Sequence, residues 1–307
     1  MTGTRVDHGT DDSRDVLRDV RPGDRWLVAV AHPDDESFGC GSLIARAAVR
    51  GAEVTVACAT RGEAGQVAES LDEGDLGAVR EAELHRAADV LGAARVELLG
   101  FRDSGFDGPP APGSLAAAPV ESVAVVLERQ IRAVRPDVVV VLDGSDGHRD
   151  HRHVRTAART AVRRALQAGW TTRLYEHCLP NSLLRRWLEE TAAARGDDAY
   201  HGVDPDGLGR PDHEITDVLD VTDVLDRREA AMAEHRSQSS PFDGLSADLR
   251  RAFLTADHLV RVDVRAARVP LPPTAAPAPD EGWWDCESAS WRRRPAAVVS
   301  CDERAGG

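Results

Sequence analysis

The sequence predicts an α/β protein: a Rossmann-like, mostly parallel sheet with helices on both faces. Short apolar runs alternate with helix-period segments from residue 26 to residue 195. One run, Asp137–Leu142 (DVVVVL), is almost continuously apolar, as a strand covered on both faces must be. Gly51, Gly92 and Gly169 fall where helical patterns stop. Right-handed βαβ crossovers then give the strands one direction and gather their carboxyl ends along one edge, where ligands bind in such sheets.

The first strand is Trp26–Ala31, followed by a helix over Ser37–Val49 with Leu43, Ile44, Ala47 and Ala48 on one face. Glu53–Thr60 is the second strand. After a loop over 61–77, a helix from about Ala78 carries Leu84, Ala87, Ala88 and Leu91. Val96–Phe101 is the third strand. The Gly/Pro/Ala-rich loop 102–119 forms a pocket wall or lid. A helix through Val120–Val134 closes at Pro136, ahead of the fourth strand. The helix from His151 to Ala168 has a clean apolar stripe from Val154 to Leu166. A fifth strand near Thr172–Leu179, a helix over Leu183–Ala194 and a polar loop over 195–212 come next. A short strand and a helix ending at His235 follow, then a helix over Leu249–Ala256 and a strand over His258–Val264.

These elements make one domain over residues 21–268. Residues 1–20 read as a mobile acidic leader and 269–307 as a Pro-rich tail, part of which docks through Trp283, Trp284 and Trp291.

The net charge of −14 argues against nucleic acid and anionic membranes as partners and fits a small-molecule enzyme. All 38 basic residues are arginine, which removes Schiff-base lysines and P-loop lysines from consideration. The five cysteines are scattered, with no CxxC pair, so Cys40 and Cys58 read as small buried hydrophobes in a reduced cytoplasm. No segment approaches the roughly 18 apolar residues of a membrane span, so no membrane insertion is expected. The oligomeric state is open, a homo-oligomer included.

Two polar clusters end strands. Ala31-His32-Pro33-Asp34-Asp35-Glu36 follows the first, and Asp143 to His151 follows the fourth. Carboxylates crowded at a strand end repel one another, and a metal ion is the simplest compensation. His32, Asp35 and His151 supply the three N/O ligands of an open catalytic site. Asp34 is then free to take a proton from water whose pKa the cation lowers toward about 7. A protonated His148 stabilises a tetrahedral oxyanion or protonates a leaving amine; Asp150 orients it, caps its own helix, or does both. The Gly39-Cys40-Gly41 turn lacks the third glycine of a dinucleotide loop, and the preceding carboxylates would repel a pyrophosphate.

These runs resemble the metal-dependent N-acetylglucosamine deacetylase family, the LmbE-like or PIG-L-like proteins. The resemblance rests on AHPDDE at 31–36 and GHRDH at 147–151. It continues through Thr60-Arg61-Gly62-Glu63-Ala64-Gly65, Arg80 and Glu83, Asp103-Ser104-Gly105, and Arg228 with His235-Arg236-Ser237-Gln238. It implies a Rossmann-like fold, Zn2+ or another divalent ion such as Fe2+, and hydrolysis of the acetamide of an N-acetylglucosamine-type conjugate. By position it makes His32, Asp35 and His151 metal ligands, Asp34 the general base and His148 the oxyanion stabiliser. Asp146 stands where mycothiol-branch members carry an aromatic hydroxyl, a role that would pass to another residue such as Tyr200. Arg149 and Arg228 replace a usual proline and lysine.

Arg61, Arg80 and Asp103 are candidate sugar contacts, with structural pairing the competing reading for the two arginines, and His235 is a candidate pocket wall or helix end. The alternatives are a mycothiol S-conjugate amidase-like enzyme that cleaves a larger acyl group, and a non-catalytic sugar- or nucleotide-binding module. Loops 102–119 and 195–212 decide the substrate.

Overall fold

The computed structural model describes residues 15–66, 75–106, 108–195 and 204–265. The expected tail with its three tryptophans, Tyr200 and residues 1–14 lie outside them.

The elements run β1 (Arg25–Val30), α1 (Asp35–Phe38), α2 (Gly41–Val49), β2 (Glu53–Cys58), α3 (Leu76–Leu91) and β3 (Arg95–Leu98). Then come α4 (Val120–Val134), β4 (Val138–Leu142), α5 (Arg149–Gln167), β5 (Arg173–Cys178) and α6 (Asn181–Arg195). The described chain closes with β6 (Asp217–Asp220), α7 (Leu225–Met232), α8 (Ala247–Leu254) and β7 (Ala256–Val262).

The sheet order is β3-β2-β1-β4-β5-β7-β6, parallel through β5, with β7 antiparallel to both its neighbours. β1 and β4 are adjacent, with Ala29 opposite Val141, so the two polar clusters emerge side by side. Alternate residues of β1 explain the helical layers. Trp26, Val28 and Val30 pack with Leu43 and Ile44 of α2 and Leu84 and Leu91 of α3. Leu27 and Ala29 pack with Leu127 and Ile131 of α4 and Val154 and Val162 of α5. A third apolar cluster joins Leu184 and Leu188 of α6, Phe242, and Leu249 and Phe253 of α8.

Four departures from the sequence reading matter. The helix expected near Ser37–Val49 breaks into α1 and α2 at Gly39-Cys40, whose N–H groups both donate to the Asp35 carbonyl; a Cβ at Gly39 would come within 2.8 Å of Leu142 from β4. The third strand stops at Leu98, since Gly100 turns the chain at φ 79°. The helix expected to end at His235 stops at Met232. The leader is not mobile throughout: Val16 and Leu17 are buried in the same core as β1, and Asp15 accepts from the N–H groups of Leu17 and Arg18. Other boundaries shift by one or two residues. Cys40 and Cys58 are fully buried, as expected. Among the described residues no helix is long and apolar enough to cross a membrane.

Candidate metal centre and active site

β1 delivers His32 to the carboxyl edge and α1 folds back at once. The Asp35 carboxylate makes that turn, its Oδ2 accepting from the N–H groups of Ala31 at 3.1 Å and His32 at 2.8 Å. Asp34 between them sits at φ 117°, a region non-glycine residues rarely occupy and one that collects at functional sites. Two braces hold it there. Glu36 Oε2 accepts the Asp34 N–H at 2.9 Å. Buried Arg80 donates to the Pro33 carbonyl at 2.5 Å, the Gly62 carbonyl at 2.8 Å and Asp34 Oδ2 at 2.9 Å.

β4 delivers the second cluster. His148 caps α5, its Nδ1 accepting the Asp150 N–H at 3.2 Å, which places His151 on the first turn facing the sheet. The rings of His148 and His151 stack at 4.7 Å, and those of His32 and His148 meet edge-on at 4.5 Å. One ring nitrogen from each of the three histidines falls within a 4.8 Å group, and His32, Asp103 and Asp150 form a second such group. Asp35 spans the expected pair: its Oδ2 is 3.6 Å from His32 Nδ1 and its Oδ1 3.1 Å from His151 Nε2.

The residues fit a divalent cation. His151 Nε2 is buried and, although 3.1 Å from Asp35, has no hydrogen bond of acceptable direction; Asp150 Oδ1 is likewise buried without a partner. Carboxylates of Asp35, Asp103, Asp146 and Asp150 surround the imidazoles, an anionic cage that stabilises positive charge. Burial pushes the His151 pKa down, but Asp146 and Asp35 outweigh it and raise it to about 10. His32 behaves alike: burial lowers its pKa, and hydrogen bonds accepted by the carboxylates of Asp103, Asp150 and Asp35 lift it well above the ordinary value. His148 goes the other way, to about 4, through burial and the neighbouring His151 and His32. It is therefore a neutral imidazole, not the protonated one expected, and with Nδ1 accepting from Asp150 its Nε2 carries the proton. Burial raises Asp34 to about 6 against the opposing pull of Arg80, with Asp35 adding to the rise.

The other expected site residues divide. Asp150 neither caps α5 nor orients His148 through its carboxylate; Oδ2 lies 3.2 Å from His32 Nε2 and accepts the Ser104 N–H, so only its backbone N–H serves His148. Asp103 is turned onto His32 at 3.5 Å and is held by the N–H groups of Gly105 and Ala64. Arg61 pairs with Glu81 at 2.8 Å and Asp75 at 3.7 Å, away from the cleft. His235 is buried beneath α1, 2.6 Å from Glu36 Oε1, and forms no wall. Sequence reasoning missed Asp146, whose Oδ2 lies 2.6 Å from His151 Nδ1, and Glu36. A carboxylate just ahead of Gly-His and the last acid of the HPDDE run were the available signals.

The cluster opens on a cleft of about 620 Å³, the size of a small-molecule site. Ala64, Gly65, Gln66 and Arg80 line one side of it; Leu184, Trp187, Leu208 and Phe253 line the other.

The fold and this cluster define an α/β protein with a His/Asp metal-type centre at its carboxyl edge. Residues 27–162 match the model of the family described as PIG-L: GlcNAc-PI de-N-acetylase. The chain is 34% identical over 272 residues to the 1D-myo-inositol 2-acetamido-2-deoxy-alpha-D-glucopyranoside deacetylase of Geodermatophilus obscurus, covering 78% of this chain and 92% of that one. The chain belongs to this family. In structure it is similar to the N,N'-diacetylchitobiose deacetylase of Pyrococcus horikoshii, with a TM-score of 0.54 and 20% identity over 83% of this chain and 88% of the other. It is similar also to the 4-carboxy-2-hydroxymuconate hydratase of Pseudomonas putida, with a TM-score of 0.53 and 21% identity over 81% and 99%. At these identities the likeness is one of fold, and a hydratase shares it.

Proposed function

We propose that this chain hydrolyses the amide of an N-acylated amino-sugar conjugate, acetate from an N-acetylglucosamine-type substrate being the simplest product. The observation that carries the reading is the buried, unbonded Nε2 of His151 inside an anionic cage beside Asp34. His32, Asp35 and His151 would hold the ion, Zn2+ or another divalent cation such as Fe2+. Asp35 is preferred over His148 as the third donor because it brings negative charge and reaches both expected partners, 3.6 Å from His32 Nδ1 and 3.1 Å from His151 Nε2. When bound, the ion supplies Lewis acidity toward the amide carbonyl.

The chain's own groups do the rest. Asp34, raised to about 6, is largely ionised at neutral pH yet basic enough to accept a proton from the attacking water and return it to the departing amine. Neutral His148 directs Nε2–H at the carbonyl oxygen as charge develops there. Asp146 fixes the His151 tautomer. Arg80 and Gln66 face the sugar, Arg80 while bracing Asp34. The amino-sugar amide named for the Geodermatophilus relative supports this reading, and the acidic surface and cysteine usage support a cytoplasmic setting without nucleic-acid partners.

The test is acetate release from a panel of N-acetylglucosamine conjugates, including the inositol conjugate, before and after chelation and after Zn2+ is restored. Release that chelation removes and Zn2+ restores is expected. A metal-replete protein that binds the sugars and releases acetate from none would instead favour a binding module.

A further inference from the structure

Glu36 and His235 are buried titratable groups that the proton transfers assigned above do not use. Glu36 belongs to α1, a helix of four residues and far too short to hold its own shape. His235 comes from the loop after α7, 199 residues further along the chain. Both side chains are shielded from solvent altogether. Glu36 spends both of its oxygens: Oε1 accepts from the Ser37 hydroxyl at 2.6 Å and lies 2.6 Å from His235 Nε2, while Oε2 accepts the Asp34 N–H at 2.9 Å. His235 Nδ1 is buried without a hydrogen-bond partner, so the proton on Nε2 goes to Glu36. The loop that carries His235 is pinned separately. Ser237 gives its N–H, at 2.9 Å, and its hydroxyl, at 2.5 Å, to the buried carboxylate of Glu83 on α3.

The peptide between Pro33 and Asp34 is thus gripped on both sides. Arg80 donates to its carbonyl at 2.5 Å, and Glu36 accepts its N–H. The plane of that peptide sets the Asp34 φ of 117°, a conformation kept only where the surroundings over-determine it. A Glu36 carboxylate free to turn would let the N–H side go. Ser37 and His235 together fix Oε1 and so aim Oε2 at Asp34. We infer that His235 is a positioning residue for the proton-transfer group: through Glu36 it holds the peptide before Asp34, and with it the direction in which the Asp34 carboxylate leaves the backbone. This rests on the role given to Asp34 in the amide-hydrolase reading above.

The experiment uses the full chain loaded with Zn2+ and the N-acetylglucosamine conjugate that the acetate panel shows to turn over fastest. Its readouts are kcat, KM, metal content and hydrogen exchange of the Asp34 amide followed by NMR. His235→Leu fills the site and removes the donor. Its kcat is expected to fall about 10–100-fold, as displacement of a reacting group does, with KM within about twofold, metal content unchanged and the Asp34 amide exchanging at least about tenfold faster. His235→Gln, whose amide can still donate to Glu36, should bring kcat back to within about threefold of the unaltered chain. In an Asp34→Asn background, His235→Leu should change the residual rate by less than about twofold, because its effect passes through Asp34. An equal loss in both backgrounds, or an unchanged kcat in the metal-loaded leucine variant, would overturn the inference. Where leucine prevents folding, Glu36→Gln carries the same test: its one oxygen meets Ser37 and His235, and its NH2 group confronts the Asp34 N–H. A lower kcat with faster Asp34 exchange is expected there too, and no change in either would overturn the inference. No acetate from the unaltered chain would remove the hydrolase reading, and Asp34 exchange would then decide by itself whether His235 holds that peptide.

Discussion

Asp146 Oδ2 lies 2.6 Å from Nδ1 of His151, and the Nε2 of the same ring faces the centre without a hydrogen bond. A carboxylate behind a histidine fixes its tautomer and ring plane and raises its basicity toward a metal. Asp146→Ala is therefore expected to weaken Zn2+ binding by about 10–100-fold. Competition with a fluorescent chelator measures it, and unchanged affinity would mean that His151 is not a ligand.

Asp34 is assigned the proton-transfer role while standing beside the ligands. Asparagine tolerates its φ of 117° better than most residues, so Asp34→Asn keeps the backbone and removes the base. Turnover should fall by about 10²–10⁴-fold with metal content intact. Full turnover in a metal-loaded Asp34→Asn protein would dismiss the assignment.

Arg80 positions Asp34 through a loop that only glycine permits. Gly62 has φ +66°, and a Cβ there would lie 2.4 Å from Arg80 Nη1. Gly62→Ala should displace the guanidinium, move Asp34 and lower kcat by about 100-fold, as misplacement near 1 Å does. A kcat within error of the unaltered protein, alongside an unchanged melting temperature, would show that Arg80 does not hold the base.

Away from the site, fully buried Glu176 bridges Arg155 at 2.9 Å and Arg159 at 2.5 Å. Burial raises its pKa, but Arg159 and Arg155 outweigh that and hold it below the usual range. Its stabilisation is thus present above the unfolded value of about 4.3 and is lost as pH falls through the lower folded value. Glu176→Gln should cost about 2 kcal/mol near neutral pH and flatten the acid limb of the melting-temperature profile. An acid limb identical to that of the unaltered chain would contradict this.

The sheet was legible because continuous apolar strands and glycine-ended helices leave few alternatives, and the convergence of His32 and His151 followed once β1 and β4 shared an edge. Contacts set by tertiary packing were not. The need for glycine at position 39 depends on Leu142 from a distant strand, which a Cβ there would meet at 2.8 Å. Asp103 looked like a sugar contact until the turn after β3 aimed it at His32. Arg61 and Arg80 carry the same guanidinium, and only burial separates the surface pair with Glu81 from the brace on Asp34. The apolar side of the cleft draws on α6, α8 and the loop that carries Leu208, which no local pattern connects.

The central claim is that His32, Asp35 and His151 form a cation site on which amide hydrolysis depends. Metal analysis of the purified chain and of His151→Ala, after equilibration with Zn2+ and removal of free ion, tests it most directly. About one ion per chain in the unaltered protein and a large loss in the variant is the expected result for a three-donor catalytic site. Equal metal content in both, or none in either, would contradict the account.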